Sequence, residues 1–187
     1  MNLKFDLKDK EHISRHLWGS AVLCGKFNPK IKDVNDFLTK LSLWLDSQIN
    51  ISTIDWIHNN KSGTDTVELP FKADTKLKNM FGLSSDEFFG YDGVVEISAD
   101  LRSKVIQKSR GDDGADKIEV NIIEGIEPKP IDDFVVELKI RPDQDGIFIA
   151  TAYPGIPGPN LPDKLSQTEE EYKKNKEYWD KNAFLKF

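Results

Sequence analysis

The segment HISRH, residues 12–16, places two imidazoles four residues apart. On a helix that spacing puts His12 and His16 on one side, and Arg15, three residues beyond His12, joins them. Two imidazoles and a guanidinium suit phosphodiester chemistry. One ring takes a proton, the other returns one, and the guanidinium holds the phosphate. Histidines at i and i+4 can also share a zinc ion, but the ion needs a third ligand. Only His58 or a carboxylate is left to supply it, and the sequence has no HExxH motif. The competing reading is a polar helix face, with Ile13 and Leu17 turned inward and the histidines in water.

A second set of candidates lies late in the chain. DFVVELKIR (133–141) and GIFIATAY (146–153) read as two strands joined by the turn sequence PDQD. Alternation puts Phe134, Val136, Leu138 and Ile140 on one face of the first strand, and Val135, Glu137, Lys139 and Arg141 on the other. On the second strand Ile147, Ile149, Thr151 and Tyr153 share a side. Register decides which face Thr151 and Tyr153 join, since a slip of one residue exchanges the faces. A five-residue loop sets Thr151 beside Glu137 and Lys139; a four-residue loop sets it opposite Val136. Both registers stay open. Glu137-Leu138-Lys139, with Asp132, Asp133 or an earlier Asp upstream, also matches the skeleton of the PD-(D/E)xK nucleases. There two carboxylates hold Mg²⁺ and a lysine stabilises developing charge. In that alternative Asp133 and Glu137 are the metal ligands.

These side chains need elements to position them. KDKEHISRHLWG (8–19) reads as a short helix stopped at Gly19. KDVNDFLTKLSLWLDSQI (32–49) is a stronger one, capped at Asp33, with Val34, Phe37, Leu38, Leu41, Trp44 and Leu45 on the 3.6-residue period. ISTIDWIH (51–58) alternates like a strand. Residues 59–90 read as polar turns around a short helix at 74–81, followed by turns over 84–93. GVVEISADL (93–101) and KIEVNIIE (117–124) read as strands, with KSRGDDGADK (108–117) as a mobile loop. Four prolines keep 154–164 irregular. SQTEEEYKKNKEYWDKN (166–182) reads as a final helix with Ser166 and Glu169 as a capping box, and with Tyr172 and Trp179 docking inward. Helices first and strands later, without βαβ alternation, predict an α+β fold with a mainly antiparallel sheet. One domain is expected: a helical part over 1–50, a sheet over 51–155, and a Pro-rich loop with a helix over 156–187.

Composition narrows the class. The chain has 187 residues, 38% hydrophobic and 31% charged, enough for a real core in a soluble protein. No apolar run is long enough to span a membrane, and MNLKFDLKDKEH lacks the apolar stretch of a signal peptide. A cytoplasmic protein, or a domain cut from a larger one, is expected. A single cysteine excludes an internal disulfide and a thiolate-rich metal site. The net charge of −6 argues against a broad electrostatic footprint on DNA, though not against a local basic cleft. It also suits a non-enzymatic binding or immunity protein that neutralises a basic partner.

The order of HxxxH, an amphipathic helix, a strand carrying Ile-Asp-Trp-Ile and a late strand ending Thr-Ala-Tyr-Pro resembles a known family. It is similar to the RNase A-like C-terminal toxin domains of bacterial contact-dependent growth inhibition proteins, within the wider barnase/EndoU/colicin/RelE group. The resemblance covers roughly residues 10–155. It implies metal-independent RNA cleavage with no cofactor, by attack of the 2′-hydroxyl to leave a 2′,3′-cyclic phosphate. It places His12, His16, Thr151 and Tyr153 around a cleft, with Arg15, Lys139 or Arg141 stabilising the charged phosphorane. It further implies RNA as substrate, tRNA among the candidates, a cognate immunity or antitoxin partner, and delivery to a target cell's cytoplasm.

Overall fold

The computed structural model describes residues 3–5, 7–20, 23–50, 53, 66–110, 118–141 and 144–186. The fold is α+β, as the order of elements predicts. Helix α1 spans Leu7–Ser14 and α2 spans Val34–Leu45. The Asp33 carboxylate caps α2 by accepting from the N–H groups of Asn35 and Asp36. Its inward residues, Phe37, Leu38, Leu41, Trp44 and Leu45, are all buried.

The main sheet is β2 (Thr66–Lys72), β8 (Asp133–Arg141) and β9 (Gln144–Pro154), in the order β2-β8-β9 and antiparallel throughout. One face packs on α1, α2 and α3 (Thr75–Met80) through Phe134, Val136, Leu138, Ile147, Ile149 and Ala152. Aromatic rings knit this core. Phe89 lies 5.1 Å from Phe134 and 5.4 Å from Phe27, and Phe27 lies 4.5 Å from Phe37.

A small sheet joins β1 (Lys26–Phe27), β3 (Gly90–Tyr91) and β7 (Pro130–Ile131). A third has the order β4 (Val94–Glu96), β10 (Asn182–Lys186), β6 (Ile118–Glu124), β5 (Val105–Arg110). Here β10 runs parallel to β6 and antiparallel to β4. Helix α4 (Glu169–Lys181) covers one face of it through Trp179, which stacks on Phe184 at 4.6 Å.

Several local expectations change. Helix α1 ends at Ser14 rather than Gly19. The strand expected over 93–101 is only Val94–Glu96, and β5 carries regular pairing to Arg110, where a loop was expected from residue 108. The final helix is capped by Thr168 and Glu171, not by Ser166 and Glu169. The Ser166 hydroxyl instead donates to Asp163 at 2.5 Å. Strands β2 and β10 were not anticipated. The strand expected over 51–58 lies, apart from Thr53, outside the described residues, and so does His58.

Candidate active site

The β8–β9 hairpin uses both registers that the sequence allows. From Phe134↔Pro154 to Glu137↔Thr151 it follows one, and from Leu138↔Ile149 to Ile140↔Ile147 the other. The shift leaves Ala150 as the extra residue of a β-bulge. This has a direct consequence for which residues face the core. Ile147 and Ile149 stay with Leu138 on the core face, while Thr151 and Tyr153 pass to the face of Val135 and Glu137. A stretch that reads as one alternation is therefore two, joined by a bulge. Arg141 pairs with Gln144, and its side chain lies outside the described residues.

The N-terminal segment delivers the histidines to this end of β9. Lys4 pairs with β9, donating to the Ile147 carbonyl and accepting from the Ile149 N–H, and α1 begins three residues later. The rings of His12 and His16 lie 6.0 Å apart, and His16 lies 5.7 Å from the Tyr153 ring. His16 is buried, and its Nδ1 is 3.1 Å from the Gly25 carbonyl. A carbonyl can only accept, so Nδ1 carries a proton, and proton exchange by this ring runs through Nε2.

Gly25 is needed for this contact. A Cβ there would meet the Pro154 carbonyl at 2.5 Å and the Tyr91 carbonyl at 3.1 Å.

Charge is arranged unevenly around the cluster. The Lys139 ammonium lies 2.5 Å from the carboxylate of Asp9, a fully buried residue of α1, so the cation that tethers α1 to β8 is itself part-neutralised. His12, on the exposed side, has its pKa lowered by partial burial of its ring, then by Arg15 and Lys139, with Asp9 opposing. Glu68 of β2 stands directly across from Glu137. Burial first, and Glu68 second, raise the pKa of Glu137, while Lys139 pulls it down. The Tyr153 hydroxyl donates to Glu68 at 3.3 Å. Burial and the two carboxylates lift its pKa well above the usual phenol value, so it stays protonated as a donor. Thr151 is buried, and its Oγ1 has no hydrogen-bond partner among the described residues.

The sequence-derived set largely converges: the rings of His12, His16 and Tyr153 meet in turn, Thr151 shares the sheet face of Tyr153, and Lys139 reaches α1 through Asp9. Arg15 is exposed beside His12, and its carbonyl accepts from the buried Lys26 ammonium at 2.5 Å and from the Cys24 thiol. Asp133 does not converge. It sits four residues from Glu137 on the same strand, about 13 Å at normal strand rise, too far to share an ion. Asp132 turns elsewhere, to Lys78. Among the described residues no three His, Cys, Asp or Glu side chains gather as a metal site. Glu68 escaped sequence reading, although Val67, Leu69 and Phe71 of TVELPFK alternate around it.

Glu137 makes a stability prediction. Its folded pKa lies above its ordinary value near 4.5, so its stabilising contribution is present below that value and is lost as pH rises through the folded one. At pH 7 the half-buried charge beside Glu68 costs stability. Glu137→Gln should therefore raise the melting temperature at pH 7, by at most about 1 kcal/mol because solvent screens the part-exposed carboxylate, and the advantage should vanish near pH 4. Thermal melts at both pH values check it; an advantage that grows on acidification refutes the assignment.

No family model and no curated protein matches the chain. A conserved hypothetical protein from Toxoplasma gondii ME49 has a similar crystal structure, with a TM-score of 0.53 at 13% identity, covering 99% of this chain and 94% of that one. At such identity the likeness concerns the fold alone. No helix of the described residues is long and apolar enough to cross a membrane.

Proposed function

We propose that this chain is a metal-independent ribonuclease of the toxin type that its HxxxH and Thr-Ala-Tyr-Pro segments resemble. The observation that carries the reading is the meeting of His16 with Tyr153 at 5.7 Å, flanked by His12 and by an unpartnered Thr151 hydroxyl. His12, disfavoured as a cation, is neutral at pH 7 and takes the proton of the 2′-hydroxyl. The freed oxygen attacks the adjacent phosphorus, a 2′,3′-cyclic phosphate forms, and the bond to the 5′-oxygen breaks. His16, entering the step protonated on both ring nitrogens, gives its Nε2 proton to that oxygen and keeps its Nδ1 proton on the Gly25 carbonyl. Arg15 and the ammonium of Lys139 offset the charge on the phosphorane, and the Thr151 and Tyr153 hydroxyls donate to its oxygens.

The experiment is cleavage of total RNA with and without EDTA. Cutting that persists in EDTA, spares 2′-deoxy substrates and leaves cyclic phosphate ends is the expected result. Strict Mg²⁺ dependence would instead revive the paired-carboxylate nuclease.

The pH dependence follows from His12. With a base whose pKa is lowered below 6.5, kcat/KM should fall on the acid side with a midpoint below 6.5. Arg15→Ala removes one of the charges that lower it, so the midpoint should move up toward 6.5 without reaching it, because burial remains. A pH profile of the two proteins reads this; a midpoint that moves down excludes His12 as the base.

A further inference from the structure

We propose that the open groove between β2 and α4 is the base-recognition subsite of this site, with Asn175 as its reading residue; the inference rests on the ribonuclease reading above. The groove holds about 610 Å³ and is lined by Val67 and Glu68 of β2, Pro159 and Asn160 of the Pro-rich loop, and Lys174 and Asn175 of α4. It begins where the acid–base cluster ends, because Glu68 also accepts the hydrogen bond of Tyr153.

Its far wall is built rather than incidental. The Trp179 indole N–H donates to the carbonyls of Pro159 at 3.1 Å and Asn160 at 3.2 Å, and the Gln167 amide donates to Leu161 at 2.8 Å. These bonds tie an irregular, proline-rich segment to the helix that follows it.

Asn175 is the anomaly. It lies on the inward face of α4 between Tyr172 and Trp179, where an apolar residue would be at home. It is only 9% exposed, lines the groove, and its side-chain amide makes no hydrogen bond among the described residues. The amide therefore keeps its donor and acceptor open to the groove, where a ligand can complete them. The groove offers a ligand with two apolar faces and a polar edge a place to do so. Val67 and Pro159 can pack against a planar ring. Asn175 presents one acceptor and one donor, and Glu68 a further acceptor. That pattern fits a nucleobase carrying an exocyclic amino group beside a ring nitrogen acceptor, as adenine and cytosine do, and disfavours uracil. Lys174 stands at the rim for a phosphate.

The test is titration of the protein in EDTA with the four nucleoside 3′-monophosphates, followed by calorimetry, for wild type, Asn175→Ala and Asn175→Asp. The wild type should bind the adenosine or cytidine compound about tenfold tighter than the uridine one, as one well-made base contact allows. Asn175→Ala should abolish that preference without lowering the melting temperature, since it removes an unpartnered group. Asn175→Asp, which loses the donor and adds a charge, should weaken binding of all four. Equal binding of the four by the wild type, or a preference unchanged in Asn175→Ala, overturns the subsite even if RNA is cut. Conversely, a preference lost in Asn175→Ala in a protein that never cuts RNA sustains the subsite and removes the chemistry.

Discussion

His12→Ala should leave the fold intact and lower kcat/KM on RNA by about 10²–10⁴-fold, the range expected for loss of a positioned acid or base. His12 is on the exposed side of α1, so truncating it opens no cavity. His16 needs a gentler change, because its buried Nδ1 satisfies the Gly25 carbonyl. His16→Asn keeps an N–H in the position of Nδ1 and removes Nε2. Its activity should fall as far as that of His12→Ala, with a melting temperature nearer the wild type than His16→Ala shows. The double variant should be little worse than either single one, because residues that act as a unit are not additive. Initial rates on a fluorogenic oligoribonucleotide, with circular dichroism to confirm folding, decide it. Wild-type rates in both single variants would leave the ring cluster as a structural contact and nothing more.

How far this site could be read from sequence depended on how local each signal was. Helix α2 carries its cap, its period and its core face within thirteen residues, so it is legible on its own. The hairpin is legible for the same reason, and both of its candidate registers were countable. What sequence could not supply was that the protein uses both, since the choice is made by core packing of Ile147 and Ile149 against α1 and by the bulge at Ala150. Strand β2 was missed because Pro70 sits in its middle, and proline argues against a central strand. It is in fact an edge strand of its sheet, where a missing N–H can be tolerated. That omission hid Glu68, and with it the electrostatic setting of Glu137 and Tyr153. Strand β10 follows α4 with no intervening loop and pairs in parallel with β6, some sixty residues earlier in the chain. No window of local periodicity reaches that far.

Asp132→Ala should be the most damaging single change to the fold, costing about 3–5 kcal/mol, as loss of one partner of a buried ion pair does. Asp132 was read from sequence as a possible upstream ligand of a metal site. In the structure it is a joint. Its carboxylate lies 2.7 Å from the buried Lys78 ammonium of α3 and accepts from the Phe89 N–H at 2.9 Å, while its carbonyl accepts from Ala73 at 2.9 Å. Three segments that wrap the aromatic core therefore meet on one residue. Removing the carboxylate strands a buried ammonium whose remaining hydrogen bond among the described residues, to the Ser85 carbonyl, is a long one at 3.4 Å. Set against a typical domain stability of about 5–15 kcal/mol, the loss would bring the protein close to unfolding at 37 °C. Lys78→Met in the same background should recover part of it, because the stranded charge is gone; urea melts of the two single variants and the double one measure the coupling. The metal reading predicts something different: little change in stability without Mg²⁺, and activity lost through weakened ion binding. A melting curve for Asp132→Ala that overlays the wild type in EDTA would count for the metal and against the joint.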